Sequence, residues 1–534
     1  MRRIALAVAL LLSVRTVAPV AQAQPRPKLV VIVVVDQMRA DYLTRYASLY
    51  EKGFKRLTTE GAWFQNAAYP YMSTLTCVGH TTIGTGTLPF HHGIIQNAWY
   101  DRGSGKSITC TADPDTTEIS YGKLGGTADS AHLMMMPSLA ETMKKQLKGR
   151  SITMALKARS AIGLAGHDAD AVIWLDERGA WETSSAFAKE PLGWVANFIK
   201  ANPLERDADK TWERVLPADR YTGADDAPGE GHPNGWSSTF PHPLGVGGDR
   251  LYYARWITSP YADAYVEQMA EAAVDDNKLG QGETTDFLGI SFSTLDLIGH
   301  SFGPRSHEMQ DELARLDGVI GRLLDHLDEK VGAGRYVLAL SADHGVADIP
   351  DQVQGGGRVV TSVLQGSIDA VLKEAGYGDG PFVAAVAGSD VYLKAGISDH
   401  LRQDAKTRKA VVEGLSRLSG VARVLTADEV STAAARGSKD PQIRATALSY
   451  FAGRSGDLIV IPKENWIMGA VVTTHGTLNA YDQQVPVVLF GAGVRPGVRG
   501  EAATPADIAP TLAAIAGVTL EAPDGKVLTP ALKK

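Results

Sequence analysis

The sequence has only two cysteines, no excess of basic residues and no long apolar run beyond its first 23 residues. Cys77 and Cys110 either form a disulfide or stay as two buried thiols, and their spacing leaves both alternatives open. The 53 Lys and Arg residues are outnumbered by 60 Asp and Glu residues. This balance disfavours nucleic acid as a held ligand, because such a binding face needs a basic excess. A small phosphorylated substrate needs only a local positive site.

The N-terminus has the pattern of a secretory signal peptide. Arg2 and Arg3 form a basic start, residues 4–14 are apolar, and residues 21–23 read Ala-Gln-Ala, which fits a cleavage site. Arg15 interrupts an apolar run that is already too short to cross a bilayer, which disfavours an uncleaved anchor. We therefore expect residues 1–23 to be removed, which changes the net charge from −7 to −10 through the loss of three arginines. The mature protein is expected to be periplasmic or secreted, with no membrane span.

Apolar runs that end near acidic residues predict a central sheet. Residues 28–35 are rich in valine and isoleucine, as expected for a strand buried on both faces, and the run ends at Asp36. Two further runs end just before Asp296 and Asp343. The other predicted elements are strands at 287–293, 337–341 and 485–490 and helices at 40–60, 309–327 and 507–515. This alternation predicts an α/β fold with a mostly parallel central sheet flanked by helices on both faces.

Residues 24–534 are predicted to form one catalytic domain with two insertions. Residues 215–250 are crowded with Gly, Pro and Asp and are too long for a plain connection, so we expect a surface excursion or cap near the site. Residues 355–470 contain their own strands and a helix near 405–418, which indicates an inserted α+β lobe. The sequence has no internal repeat and no low-complexity tract.

Acidic and histidine residues near the ends of the predicted strands are candidate metal ligands. Asp296 and His300 are four residues apart, so one helical turn places them on the same face. Each residue alone has an ordinary alternative, since an Asp after a strand is more often a turn or a helix cap, and a lone His is more often a loop residue. All of these residues together are a more specific indication of a metal site than any one of them alone. The set consists of Asp36, Asp296, His300, Asp343, His344 and His475, a mixture of oxygen and nitrogen donors that zinc accepts.

Thr76 begins a segment of small residues and has two interpretations. It is either the N-cap of a helix or a nucleophile whose hydroxyl pKa is lowered by a bound metal, with the helix amides facing an incoming phosphate. Lys157 and Arg159 are two residues apart and would point to the same side of an extended segment, where they would clamp a phosphate. Their alternative is a solvated basic pair. Asn97 alone is equally consistent with a turn.

Seven motifs carry a resemblance to a known family. They are Val34-Val-Asp36-Gln-Met-Arg39, Thr76-Cys-Val-Gly-His-Thr-Thr82, Gln96-Asn97-Ala-Trp-Tyr-Asp101, Leu156-Lys-Ala-Arg159, Asp296-x-x-x-His300, Ala342-Asp-His-Gly345 and Thr474-His-Gly476. With these motifs the chain resembles the alkaline phosphatase superfamily, in the group of type I phosphodiesterases and nucleotide pyrophosphatases. Within that group it is most similar to the monomeric bacterial alkaline phosphatases of the PafA and PhoK type. The resemblance covers nearly the whole mature chain.

The resemblance implies two zinc ions and a role for each motif residue. It makes Asp296, His300 and His475 the ligands of one zinc, and it assigns Asp36, Asp343, His344 and the Thr76 oxygen to the other. It makes Thr76 the nucleophile that forms a phosphothreonine intermediate. It implies that Asn97 donates a hydrogen bond to a phosphoryl oxygen, and that Lys157 and Arg159 accompany activity on phosphate monoesters.

We therefore expect an exported, monomeric, zinc-dependent alkaline phosphatase that acts on small phosphate monoesters. An additional structural calcium ion is left open. The alternatives are a phosphodiesterase or nucleotide pyrophosphatase on the same fold, and an exported zinc-binding protein without catalysis. A sulfatase is disfavoured, because the segment from Cys77 to Thr81 lacks the Pro and Arg of the C-x-P-x-R motif.

Overall fold

The computed structural model describes residues 26–122, 129–176, 179–248 and 250–533. The predicted signal peptide, residues 1–23, lies outside these described residues. Within them, no helix combines the length and the apolar character needed to cross a bilayer. The strands are β1 Leu29–Val35, β2 Ala62–Ala67, β3 Ala98–Asp101, β4 Lys106–Thr109, β5 Glu118–Ser120, β6 Ser151–Ala155, β7 Ala171–Leu175, β8 Trp181–Ser184, β9 Thr211–Trp212, β10 His242–Pro243, β11 Asp286–Phe292, β12 Tyr336–Ser341, β13 Gly357–Val359, β14 Val383–Ala387, β15 Asp390–Leu393, β16 Val421–Thr426, β17 Leu458–Pro462, β18 Trp466–Met468, β19 Val487–Gly491 and β20 Gly497–Ala503.

A ten-stranded sheet forms the centre of the protein, in the order β20-β2-β19-β12-β1-β11-β6-β7-β8-β5. The five strands β12, β1, β11, β6 and β7 pair in parallel. The strands β19 and β8 run antiparallel to their neighbours. The central strand β1 is buried along its whole length, as its unbroken apolar sequence predicts. The predicted mostly parallel sheet is confirmed.

Helices cover both faces of this sheet. They are α1 Tyr42–Arg45, α2 Gly53–Glu60, α3 Thr76–Thr85, α4 Pro89–His92, α5 Leu139–Leu147, α6 Ala158–Ala165, α7 Gly193–Ala201, α8 Arg250–Ile257, α9 Pro260–Asn277, α10 Thr294–Phe302, α11 His307–Leu327, α12 Thr361–Glu374, α13 Ile397–Gln403, α14 Ala405–Ser416, α15 Ala427–Val430, α16 Ala433–Arg436, α17 Pro441–Ser449, α18 Ala480–Gln483 and α19 Ile508–Ala516. Alternate residues of β1 pack on opposite layers, since Val31 and Val33 join a core with α9 and α11, whereas Val30 and Ile32 join one with α3, α5 and α19.

The single helix predicted over residues 40–60 is wrong, because this stretch contains two short helices instead. The α-helices α1 and α2 are separated by a 3₁₀ turn at Ala47–Leu49 and by the extended residue Tyr50. The break has an identifiable cause in α11, where the Asp317 carboxylate accepts hydrogen bonds from the backbone N–H groups of Glu51, Lys52 and Phe54. A distant side chain thus caps α2 and fixes where it begins.

Two segments lie outside the main sheet. Residues 355–470 contain the four-stranded sheet β14-β15-β17-β16 with helices α12 to α17, and they have a separate apolar core. Residues 215–250 form mostly irregular structure with short 3₁₀ turns. This second segment lies against the end of α10, where the Gly231 N–H donates to the Ser301 carbonyl at 2.9 Å. The fold class with inserted segments is therefore confirmed.

Helix α3 lies directly against the carboxyl end of β12. A β-carbon at Gly79, in the first turns of α3, would overlap the carbonyl oxygen of Asp343, which follows β12. All ten residues of α3 are buried. The close approach of helix and strand end therefore requires glycine at this position.

We predict that Gly79→Ala destabilises the protein by about 1–3 kcal/mol, because the added methyl group overpacks a rigid backbone contact. Gly366→Ala in the exposed part of α12 is the control, since a β-carbon there meets nothing within 4 Å. Alanine at that exposed site should stabilise the helix by up to about 1 kcal/mol. The free energy of unfolding, measured in denaturant, distinguishes the two; an unchanged value for Gly79→Ala would contradict the packing argument.

Candidate active site

Three neighbouring strands deliver three carboxylates to one edge of the sheet. Asp36 follows β1, Asp343 follows β12, and Asp296 lies in the first turn of α10 after β11. Because β12, β1 and β11 are adjacent and parallel, their carboxyl ends meet at the same place. Asp36 and Asp343 are fully buried and Asp296 is nearly so. A buried cluster of carboxylates results.

Asp296, His300 and His475 form the first group of candidate ligands. The His300 Nε2 atom lies 3.2 Å from Asp296 Oδ1 and 3.2 Å from His475 Nε2. The His475 Nε2 atom lies 3.7 Å from the same Asp296 oxygen. Three donor atoms from α10 and a distant loop therefore converge on one small volume.

Asp36, Asp343 and His344 form the second group, next to Thr76. The His344 Nε2 atom lies 3.5 Å from Asp36 Oδ1, 3.3 Å from Asp343 Oδ2 and 3.4 Å from Thr76 Oγ1. The imidazole of His344 also stacks on that of His475, with ring centroids 3.5 Å apart. His344 thus lies between the two groups, close enough to share an ion-sized space with members of either one.

All three imidazoles are oriented by backbone carbonyls. In each ring Nδ1 lies within hydrogen-bond distance of a carbonyl oxygen, so Nδ1–H donates and the Nε2 lone pair points toward the carboxylates. The acceptors are the carbonyls of Thr473 for His300 at 3.0 Å, Gly345 for His344 at 2.9 Å and Thr74 for His475 at 2.8 Å. This arrangement is the usual one for histidine ligands of a metal.

The geometry fits a cation better than it fits an empty hydrogen-bonded network. With both Nδ1 atoms donating elsewhere, the Nε2 atoms of His300 and His475 face each other at 3.2 Å with two lone pairs. Asp36 Oδ1 and Asp343 Oδ2 are buried and accept no hydrogen bond from the described part of the chain. A positive ion among these atoms would satisfy all of them. Among the described residues, no separate cluster of three metal-ligating side chains occurs away from this region.

Among the residues that the structure describes, Lys157 supplies the one ammonium group in direct contact with these carboxylates. Its Nζ atom lies 2.6 Å from Asp36 Oδ2 and 2.5 Å from Asp296 Oδ2, so it bridges the two ligand groups. Burial alone would lower the pKa of Lys157, but Asp296 and Asp36 outweigh burial and raise it. Burial raises the pKa of Asp36 well above its ordinary value, and Asp296 and Asp343 add to this effect.

Arg159 lies near Lys157, but the reason given from the sequence is wrong. The chain is extended only as far as Lys157, which is the N-cap of α6, and Arg159 is the second residue of that helix. The strand geometry expected to align the two side chains is therefore absent. Arg159 Nε is buried and makes no hydrogen bond within the described part of the chain. Its charge opposes the protonation of Lys157, which indicates that the two groups are close.

Thr76 is the first residue of α3, as the sequence predicts, and Leu75 occupies the extended N-cap position. The Thr76 hydroxyl therefore does not serve as the cap. Asn97 lies beside it, because its side-chain Oδ1 accepts from the Cys77 N–H at 2.8 Å. Cys77 and Cys110 form a disulfide, which decides between the two alternatives left open by the sequence.

Gln37 and His80 contact the site but were not assigned a role from the sequence. The Gln37 N–H donates to Asp343 Oδ1 at 3.0 Å, and its side-chain Nε2 donates to Asp296 Oδ1 at 2.6 Å. A β-carbon at Gly299 would overlap the Gln37 side chain, so the glycine of the Asp296-x-x-x-His300 turn makes room for it. His80 Nδ1 lies 3.3 Å from Asp343 Oδ2. The sequence signal available for Gln37 was its position directly after Asp36.

The fold and the two ligand groups beside a helix-starting threonine define the class of protein, an α/β protein with the alkaline phosphatase fold. The crystal structure of wild-type alkaline phosphatase PafA superposes with a TM-score of 0.89 at 31% sequence identity, and the match covers 96% of this chain and 100% of that one. A PafA variant with substitutions of one Thr, one Asn, one Lys and one Arg gives a TM-score of 0.88 at 30% identity, with 96% and 100% coverage.

Sequence comparison identifies the family. The profile for type I phosphodiesterase / nucleotide pyrophosphatase matches residues 30–477. Alkaline phosphatase PafA of Elizabethkingia meningoseptica is 33% identical over 528 residues, which cover 95% of this chain and 94% of that protein. Alkaline phosphatase PhoK of a Sphingomonas species is 31% identical over 517 residues, with 92% and 88% coverage. The chain belongs to the type I phosphodiesterase / nucleotide pyrophosphatase family.

We predict that Gln37→Asn weakens the binding of a divalent cation by the candidate ligands roughly 10- to 100-fold, the range typical of lost contacts behind metal ligands. Asparagine tolerates the positive φ of 69° at this position and keeps the backbone N–H to Asp343, but its shorter side chain does not reach Asp296. Zinc affinity is measured by competition with a chromogenic chelator.

Gln310→Asn is the matched control, because Gln310 is equally buried but binds Thr222 and Arg305 rather than a candidate ligand. Equal losses of zinc affinity in both variants would show that Gln37 acts only through general stability.

Proposed function

We propose that this phosphoric monoester hydrolase is an exported enzyme that holds two zinc ions and transfers phosphate through a phosphothreonine intermediate on Thr76. Asp296, His300 and His475 would hold one zinc. Asp36, Asp343, His344 and the Thr76 oxygen would hold the other. Residues 24–534 would form the catalytic domain, with insertions at 215–250 and 355–470. The proposal includes a monomeric, periplasmic or secreted protein.

One observation carries the proposal, which is the position of the Thr76 hydroxyl. Thr76 is nearly fully buried at the start of α3, and its Oγ1 atom lies 3.4 Å from His344 Nε2 in the second ligand group. A threonine that only capped the helix would occupy the preceding position, which Leu75 holds. A hydroxyl at this place lies beside the second ligand group and at the N-terminal end of a helix, where an anion is favoured.

The residues of the chain suggest how the reaction divides into two displacements. The Thr76 hydroxyl gives its proton to solvent and its oxygen attacks phosphorus in line, the bond from phosphorus to the ester oxygen breaks, and the leaving group takes a proton from solvent and departs as an alcohol. Water then attacks phosphorus and gives a proton to solvent, the bond to Thr76 breaks, the Thr76 oxygen regains a proton, and inorganic phosphate leaves. Bound zinc would supply Lewis acidity that lowers the pKa of the attacking hydroxyl and offsets charge on the leaving oxygen.

Asn97, Lys157 and Arg159 would bind the phosphoryl oxygens. The Asn97 oxygen is occupied by the Cys77 N–H, which leaves its Nδ2 group free to donate within the described structure. Arg159 Nε is a buried donor without an acceptor. Donors aimed at the place where charge develops contribute strongly to catalysis. The PafA variant of known structure is substituted at one Thr, one Asn, one Lys and one Arg, which are the four residue types that we assign here.

The charge of the site favours a dianionic monoester. Three buried carboxylates, the Lys157 ammonium and the Arg159 guanidinium leave the centre with one more negative than positive charge. Two divalent cations would turn this negative excess into a positive one. A phosphate monoester dianion would offset that positive charge better than a diester, which carries a single negative charge. The family name favours the rival activity on diesters, and the same metals would serve it.

We predict that Thr76→Ala lowers kcat/KM for a phosphate monoester by roughly 10³-fold or more, as for loss of other catalytic nucleophiles. Thr76→Ser should retain most activity because it keeps the hydroxyl. Wild-type enzyme quenched in acid during turnover should carry phosphate on the peptide that contains Thr76, detected by mass spectrometry.

Thr85→Ala, at the opposite end of α3, is the matched control and should retain activity. Full turnover by Thr76→Ala, or trapped phosphate on another residue, would refute the nucleophile assignment.

We predict that Lys157→Ala and Arg159→Ala each lower monoester turnover by about 10- to 10³-fold, in line with loss of a transition-state donor. Diester turnover should fall much less, because a diester offers one fewer charged oxygen. Steady-state rates on a nitrophenyl monoester and the matching methyl diester give the ratio. The control for lost basic charge is Lys144→Ala in α5, which breaks an ion pair between Lys144 and Asp168. Equal losses on both substrates would favour the diesterase alternative.

A further inference from the structure

Asn97 is held at the point where the disulfide joins two chain segments. Its side-chain Oδ1 accepts from the Cys77 N–H at 2.8 Å, and its backbone carbonyl accepts from the Cys110 N–H at 3.0 Å. Cys77 and Cys110 are bonded to each other and are both almost completely buried. Each half of the disulfide therefore donates a hydrogen bond to the same asparagine.

The segment that carries Asn97 lies outside the main sheet. Asn97 precedes the two-stranded hairpin of β3 and β4, in which Ala98 pairs with Thr109. These two strands form a sheet of their own, so no strand of the ten-stranded sheet holds them by a hydrogen-bonded ladder. Because β4 ends just before Cys110, the disulfide is a covalent connection between this hairpin and the helix that begins at Thr76.

The opposite side of the hairpin is attached to the inserted segment 355–470. Gln96 Nε2 donates to Asp390 Oδ2 at 2.9 Å, and Arg102 donates to the Ser455 carbonyl at 3.0 Å. The rings of Tyr100 and Tyr392 pack with centroids 5.8 Å apart. The hairpin therefore contacts the inserted segment on one side, and on the other side the disulfide links it to the helix that begins at Thr76.

We propose that the Cys77–Cys110 disulfide is a positioning element that sets the Asn97 amide against the phosphate bound at Thr76. Without it the hairpin is held to α3 only by the hydrogen bond between Asn97 and the Cys77 N–H and by the packing of Trp99 in the main core, so the Asn97 amide is less firmly fixed relative to the nucleophile. Phosphoryl transfer then slows while both metal-ligand groups, which lie on the sheet and its adjacent loops, stay intact. This inference rests on the proposed role of Asn97 as a donor to a phosphoryl oxygen.

The proposal makes activity depend on the oxidation state of one bond. A phosphine reductant such as tris(carboxyethyl)phosphine attacks one sulfur and breaks the S–S bond. Water then supplies oxygen to the phosphine, which becomes a phosphine oxide. The two cysteines take protons from that water and become thiols. Two electrons pass from phosphorus to sulfur, and a mild oxidant returns the enzyme to the disulfide form.

A double-mutant cycle tests the proposal in the zinc-loaded full-length enzyme. The Cys77→Ala/Cys110→Ala pair is made in the wild type and in Asn97→Ala, and kcat/KM is measured for a nitrophenyl monoester. We expect removal of the disulfide to cost about tenfold in the wild type, less than the roughly 10²–10³-fold cost of losing a donor outright. In the Asn97→Ala background it should cost less than about twofold, because the positioned group is already absent.

Zinc content and thermal unfolding of all four proteins separate positioning from general damage. Equal losses of activity in both backgrounds, or loss of zinc with the disulfide, would overturn the proposal. If Asn97→Ala itself leaves kcat/KM unchanged, the proposed function of Asn97 fails, and that outcome is distinct from a failure of the disulfide proposal alone.

A second experiment tests the proposal if the Cys77→Ala/Cys110→Ala variant does not fold. Wild-type chain is folded with zinc and the phosphine, so that the bond never forms, and is then oxidised while free thiols are counted. Activity should rise about tenfold as the thiols disappear, by the same reasoning as in the cycle. Asn97→Ala carried through the same steps is the control for effects of the reagents on zinc. A rise of equal size in that control, or none in the wild type, would refute the role of the disulfide.

Discussion

Three carboxylates taken out of water at the ends of adjacent strands are the constraint on which the rest of the site depends. Burying an ionised group is costly unless opposite charge or hydrogen bonds meet it. Asp36, Asp296 and Asp343 receive one ammonium group from Lys157, a few N–H donors and three imidazole edges. The bridging lysine and the oriented histidines lie where they can offset the buried negative charge of these carboxylates.

The rigidity of the site comes from main-chain groups more than from side chains. The three histidines are held by carbonyls from three different loops, and Gly79 lets the backbone of α3 touch the turn at Asp343. Backbone acceptors do not rotate, so each imidazole has one edge fixed by the fold and the other free for a ligand. The position of the Thr76 hydroxyl is then a consequence of how α3 packs against the end of β12.

Local patterns in the sequence were sufficient for the elements that carry the ligands, and insufficient for contacts made across the chain. The apolar strand before Asp36, the four-residue spacing of Asp296 and His300 and the small residues after Thr76 all predict local geometry, and the strands and helix starts agree. The break between α1 and α2 depends on Asp317, some 260 residues away. The local pattern of apolar residues therefore does not indicate the break. The same is true of Lys157, whose partners are set by strand order rather than by its neighbours in sequence.

The candidate metal ligands and Asn97 are supported by different parts of the fold. The candidate metal ligands belong to the central sheet and the loops at its edge, where parallel strands fix their positions. Asn97 belongs to a small hairpin that also contacts the inserted segment through Gln96 and Arg102. Lys157 belongs to the first part instead, because it follows β6 of the central sheet and its Nζ atom contacts both Asp36 and Asp296. The residues that we propose to contact the phosphoryl oxygens are therefore drawn from both parts of the fold, and the Cys77–Cys110 disulfide joins the hairpin covalently to the helix that begins at Thr76.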